Sequence, residues 1–124
     1  MLCRSSPTAQ AFGLFSNVAV TGEHVLTPSV SGDTTNIRAY AATHSGGTAL
    51  VLFNLNETAS IPVTVTVNGE SSSPGVTVIT YSKAIYDLTQ NDVWNGPATT
   101  SMGAQSLPLV LTLAQWSMNV VLIQ

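Results

Sequence analysis

The sequence predicts an antiparallel β-sandwich, and three observations carry that prediction. Short apolar or alternating segments recur about every 8–12 residues, with Gly, Pro, Asn and Ser between them. No stretch keeps the period of a capped helix. The segment Thr48–Val67, TALVLFNLNETASIPVTVTV, holds two strand patterns of different kinds with turn residues between them. About eight short strands are expected, in a sandwich first and in a jelly roll or closed β-barrel as the alternative.

In chain order, residues 1–11 are polar, contain Pro7 and show no periodicity, so an irregular N-terminal segment is expected there, followed by one sandwich domain over 12–124. Phe12–Val20 is apolar enough for a strand or a short buried segment. Gly22, Pro28, Gly32 and Asp33 then leave room for one short strand near His24–Leu26. Ile37–Thr43 and Thr48–Asn54 read as a hairpin closed by Ser45-Gly46-Gly47. Ala49–Phe53 is apolar without interruption, as in a central strand covered on both faces. Val63, Val65 and Val67 alternate with Thr64 and Thr66, the period of a strand with one buried face. Asn54–Thr58 forms the turn between these two, read as a connection between antiparallel strands.

Asn68-Gly69 opens a long polar loop ending near Gly75. In the strand Val76–Ser82, Val76 and Val78 face one way and Ile79 and Tyr81 the other. Lys83–Leu88 is expected to continue that strand past a bulge or to begin another, and Thr89–Gly103 to be the longest irregular stretch. Leu107, Leu109, Leu111 and Leu113 alternate with Pro108, Val110 and Thr112, and Pro108 restricts them to an edge strand or a strand start. Met118–Ile123 closes the chain as a buried strand.

Composition excludes several functions. Only Arg4, Arg38 and Lys83 are permanent cations, against Glu23, Asp33, Glu57, Glu70, Asp87 and Asp92, so phosphate-neutralising contact with nucleic acid is not expected. No apolar run approaches the roughly 20 residues of a spanning helix, and no membrane partner is expected. A surface of Ser, Thr, Asn and Gly in place of charge is the habit of secreted β-domains. Met1–Thr8 itself has neither the basic start nor the apolar core of an export signal. Cys3 is the one cysteine and makes no internal disulfide. Asn56-Glu57-Thr58 is a glycosylation sequon, relevant only in a eukaryotic secretory route.

With the strands placed, the order of FGLFSNVAVTGEHVLTPSVSG, NIRAYAATHSGGTALVLFNLNE, a Val/Thr strand and WSMNVVLIQ resembles the C-terminal β-sandwich of clan-A glycoside hydrolases. The β-glucuronidase and heparanase-like family and its xylosidase-like neighbours are the nearest in pattern. Phe12–Phe15 matches the segment that ends their catalytic (β/α)8 barrel, Arg38–Ala42 their Ala-Tyr-Ala strand, and Val51–Asn56 their Val-Leu-Phe-Asn-Leu-Asn strand. The resemblance implies an accessory domain of a secreted or periplasmic parent enzyme, whose partner is a barrel or, without one, another copy of this chain. It also implies that the two catalytic glutamates lie on a barrel this chain lacks, and that a strand contributed from before the barrel is missing from the sandwich edge.

Candidate chemistry is sparse. Asn56-Glu57 imitates the acid/base step of such barrels but falls in a turn, which makes it a decoy. Asp87 and Asp92 are the remaining carboxylate couple, flanking a loop with Tyr86 and Trp94; two carboxyls about 5–9.5 Å apart would be required, and solvated loop acids are the plainer reading. His24 and His44 read as loop histidines without a cluster of metal-ligand spacing, and neither metal nor other cofactor is expected. Direct contact with polysaccharide is the more substantial candidate: Trp94, Tyr86 and Asn95 could form a stacking platform, with Tyr81 and Trp116 as further pieces. The plainer reading puts Tyr81 and Trp116 in the core and packs Trp94 beneath a long loop.

Overall fold

The computed structural model describes residues 11, 13–14, 24–44, 47–69, 73–88 and 96–124. Eight strands run in order: β1 (Val25–Leu26), β2 (Ile37–His44), β3 (Gly47–Asn54), β4 (Ile61–Val65), β5 (Gly75–Ser82), β6 (Ala98–Ala104), β7 (Leu109–Leu113) and β8 (Ser117–Ile123), with one short helix, α1 (Lys83–Leu88), between β5 and β6. A six-stranded sheet of order β1-β2-β3-β8-β5-β6 faces a two-stranded sheet of β4 and β7, and every pairing is antiparallel. Neither sheet closes on itself, so the sandwich is the fold and the barrel alternative falls away.

Between the layers, Ile37, Leu50, Leu52, Val76, Val121 and Ile123 of the large sheet meet Val65, Leu109, Leu111 and Leu113 of the small one. The alternation in β7 follows directly: Leu109, Leu111 and Leu113 are buried, while Val110 and Thr112 face out. The large sheet is apolar on its outer face too, where Ala42, Ala49, Val51, Tyr81, Met118 and Val120 form a second cluster with Leu14. Strands β3 and β8 lie at the sheet centre with both faces covered, which explains why Ala49–Phe53 and Met118–Ile123 carry no polar alternation apart from Asn119. Val76 and Val78 point inward and Ile79 and Tyr81 outward, as their spacing predicts.

Four sequence expectations are corrected. The turn after β3 does not join paired strands: β4 crosses to the other sheet and pairs with β7. Lys83–Leu88 is helical, because Ser82 supplies an N-cap, accepting the Ile85 N–H at 3.4 Å, and Lys83 and Asp87 pair across one turn at 2.6 Å. Residues 98–104 form β6, an edge strand. Its Thr-Thr-Ser sequence is exposed on both faces and leaves no hydrophobic alternation to read; the register shift opposite Val76/Thr77 is taken up beside Gly103 at φ +68°. His44 is the last residue of β2 instead of a loop histidine, and exposed His24 lies just before β1, exchanging hydrogen bonds with Thr43.

Ahead of β2, Asp33 organises the turn. Its carboxylate accepts the Thr35 and Asn36 backbone N–H groups and the Asn36 side-chain amide, and the Asn36 bonds hold the acid below the usual carboxylate range. Within Phe12–Val20, expected as a strand or a short buried segment, Gly13 and Leu14 are helical and Leu14 is buried; the rest of it, and most of residues 1–11, lie outside the described residues.

The hairpin between β2 and β3 closes against the chain end. A Cβ on Gly47 would stand 2.1 Å from the Ile123 carbonyl oxygen, an atom fixed by the central strand. Gly47→Ala is therefore expected to destabilise the fold by about 1–3 kcal/mol through overpacking, read as a lower denaturation midpoint at unchanged slope.

Candidate functional site

At the end of the sandwich where β3 and β5 finish and β8 begins, the two sides of the sheet take different chemistry. Phe53, Met118 and Tyr81 are cross-strand neighbours on the outer face; Asn54, Ser117 and Ser82 form the next row. The outer row, α1 and the loop after β3 enclose a groove of about 590 Å³. Phe53, Tyr81, Met118, Tyr86 and Trp116 give it an aromatic, mostly apolar lining, completed by Ala11, Leu55, Glu57, Lys83 and Asp87 and by Asn54, Ser82 and Ser117 of the next row.

The inner row is polar and buried. Asn54 is 0% exposed; its amide nitrogen donates to the carbonyls of Ala59, Leu113 and Ala114 at 3.0–3.1 Å, and its oxygen accepts the Asn56 N–H at 2.9 Å. One side chain thus fastens the β3–β4 loop to the β7–β8 turn. Beside it, Thr80 donates to Asn119, Asn119 donates to Ser117 and to the Leu52 carbonyl, and Ser117 donates to Ala114. Asn56 oxygen accepts the Thr58 and Ala59 N–H groups, which fixes the sequon in an Asx turn with exposed Glu57 at its tip.

Trp116 sits where these connections meet. Its N–H donates to the Asn56 carbonyl at 2.8 Å and its own carbonyl accepts the Lys83 N–H at 3.0 Å, so its backbone links the β3–β4 loop to the start of α1. It holds a left-handed conformation, φ +43°, which is strained for a bulky side chain, and the residue is 52% exposed. Sequence reasoning that placed Trp116 in the core is corrected here. The signal was present: alternation stops at Leu113 and the buried run of β8 begins only at Ser117, which puts Trp116 in the short turn between them with no core face to occupy.

Tyr81 is buried as expected, yet its hydroxyl has no hydrogen-bond partner among the described residues. Burial lifts its phenol above the usual tyrosine range, with a further push from Tyr86. Leaving such a group unsatisfied costs about 1–3 kcal/mol. Tyr86 is on α1, exposed at the groove. Asp87 also reaches the groove, but its carboxylate is held by Lys83. Of the expected site residues, Asp92, Trp94 and Asn95 lie outside the described residues, while Tyr86 and Asp87, with the further pieces Tyr81 and Trp116, fall in this groove. Among the described residues no group of three His, Cys, Asp or Glu is placed to hold a metal, and no helix is long and apolar enough to cross a membrane.

The six-on-two antiparallel sandwich is similar in fold to parts of solved glycoside hydrolases. The family 30 endoxylanase of Clostridium papyrosolvens C71 superposes with a TM-score of 0.70 at 15% identity, over 94% of this chain and 27% of the enzyme. Cel44A, the family 44 endoglucanase of Clostridium thermocellum, gives 0.67 at 12% identity, over 94% and 23%. The family 51 arabinofuranosidase of Xanthomonas axonopodis pv. citri gives 0.54 at 23% identity, over 80% and 22%. The chain thus spans about a quarter of the length of these enzymes. No family model matches the sequence, and no curated protein does so.

Replacing Asn54 by Ala should cost about 1–3 kcal/mol, because the buried carbonyls and the Asn56 N–H lose their shared partner. Asn54→Asp, which keeps the acceptor and removes the donors, should be no more stable than Asn54→Ala in urea denaturation.

Proposed function

We propose that this chain is a non-catalytic accessory sandwich of a glycoside hydrolase, one that packs against a catalytic (β/α)8 barrel and shapes one side of its cleft. The observation that carries the proposal is the superposition on a glycoside hydrolase over nearly the whole of this chain and about a quarter of the enzyme. The motifs at Arg38–Ala42, in β2, and Val51–Asn56, at the end of β3 and into the loop after it, agree with a C-terminal sandwich of the β-glucuronidase, heparanase-like or xylosidase-like kind. A barrel-facing surface is available: Val25 and Tyr40 share the outer face of the large sheet at its β1 edge and are 88% and 53% exposed. Two large apolar side chains in that position favour a macromolecular contact.

A second reading, direct sugar binding through Trp94, Tyr86 and Asn95, is favoured by the exposure of Tyr86 in the aromatic groove. The third, hydrolysis by Asp87 and Asp92, finds less support, since Lys83 engages the Asp87 carboxylate.

Purified chain incubated with xylan, xyloglucan and arabinan is expected to release no reducing ends; turnover that disappears in Asp87→Asn or Asp92→Asn would replace the accessory reading by an enzymatic one. The isolated chain is also expected to self-associate through its uncovered patch. Val25→Lys combined with Tyr40→Lys should shift it to monomer in light scattering at high concentration, and a wild-type monomer under the same conditions would remove the patch from the account.

A further inference from the structure

We infer that the Trp116 groove is a saccharide-binding site whose ligand is a neutral pyranose chain, stacked on the indole with one ring hydroxyl bonded to Tyr81. The inference rests on the sugar-binding reading above and moves the site from the Trp94 loop to the start of β8. Three independent observations converge on it. The groove, about 590 Å³, has an aromatic wall and few polar groups, the make-up of a small-molecule site, whose volumes run roughly 300–1,000 Å³. Trp116 is exposed and strained while its backbone is tied on both sides, so the indole is presented from a fixed position without serving the core. Strain of that kind in a well-determined backbone points to a function.

The third observation is the Tyr81 hydroxyl. Tyr81 lines the groove, is 8% exposed, and its hydroxyl finds no partner among the described residues, although the polar side chains of the neighbouring row are all bonded. The hydroxyl is buried, so a sugar hydroxyl that completes the set has to displace the side chains that cover it. An amphipathic ligand is required: one apolar face for the indole and a hydroxyl for the phenol, which is the chemistry of a pyranose ring. Charge selects among saccharides. Among the described residues Glu57 and Asp87 border the groove against Lys83 alone, which Asp87 already engages, so that lining is net negative and disfavours chains bearing uronic acids.

The test is affinity electrophoresis and tryptophan-fluorescence titration of the full chain with cellohexaose, xylohexaose and glucuronic-acid-substituted xylan. Wild type should bind a neutral chain in preference to the acidic one. Trp116→Gly should weaken that binding about tenfold or more, the loss of one strong contact, while the left-handed backbone suits glycine and keeps the thermal midpoint level or higher. Tyr81→Phe should also bind more weakly, with a midpoint that does not fall, since it removes an unpartnered group. Binding that survives Trp116→Gly and disappears in Trp94→Ala would overturn this site while leaving sugar binding intact. Preference for the acidic xylan would overturn the neutral ligand, and unaltered affinity in Tyr81→Phe would remove the hydroxyl contact. No binding of any of the three probes by wild type would overturn both the site and the sugar-binding reading.

Discussion

The buried amide of Asn54 is the interaction on which this end of the molecule depends. A single side chain, closed off from solvent, answers three carbonyls and one N–H drawn from the β3–β4 loop and the β7–β8 turn. Both connections cross between the layers, and loops that cross have no ladder to satisfy their backbone groups. Asparagine is suited to the task because its amide offers donors and an acceptor at once. The position of Trp116 follows: its N–H is bonded to Asn56, whose own N–H is bonded to Asn54, so the indole is placed by a chain of hydrogen bonds that begins in the core.

The two rows at the sheet end divide the work. Phe53, Met118 and Tyr81 turn an apolar face outward, and Asn54, Ser117 and Ser82 hold the turns and the helix start. The period of a strand enforces this division, since neighbours along each chain must face opposite ways. An aromatic groove therefore stands directly on a polar framework, and the framework gives it rigidity that apolar packing alone would not. The surface proposed for the accessory role adjoins the groove on the same outer face: Val25 lies toward the opposite sheet edge from α1, but the Tyr40 ring meets groove-lining Phe53 edge-on at 6.1 Å.

Much of the fold was legible because burial writes itself into spacing. The apolar runs of β3 and β8 revealed strands covered on both faces, and the leucines at 109, 111 and 113 revealed a strand covered on one. What could not be read had no burial to record it. Ala98–Ala104 is exposed along its length and held by backbone pairing, while α1 is too short for a helical period and is set by one serine cap and one ion pair. The pairing of β4 with β7 was hidden for another reason: the turn residues at 54–58 announce a change of direction and say nothing about which layer the next strand enters. The groove was the least legible feature. It is assembled from four separate segments, and its most exposed aromatic, Trp116, looked like core because it precedes a buried strand.

The unequal layers carry a last consequence. Among the described residues β4 and β7 pair only with each other, so this ribbon is joined to the large sheet by leucine and valine packing and by the Asn54 clamp, without a shared ladder. Opening it would break no hydrogen bond within the larger layer. The ribbon's hold is the core itself, since Val65, Leu109, Leu111 and Leu113 are buried against the large sheet. The molecule is thus a six-stranded slab with a two-stranded cover held by side chains alone, and the corner where the Asn54 clamp joins the two is the one that presents Trp116.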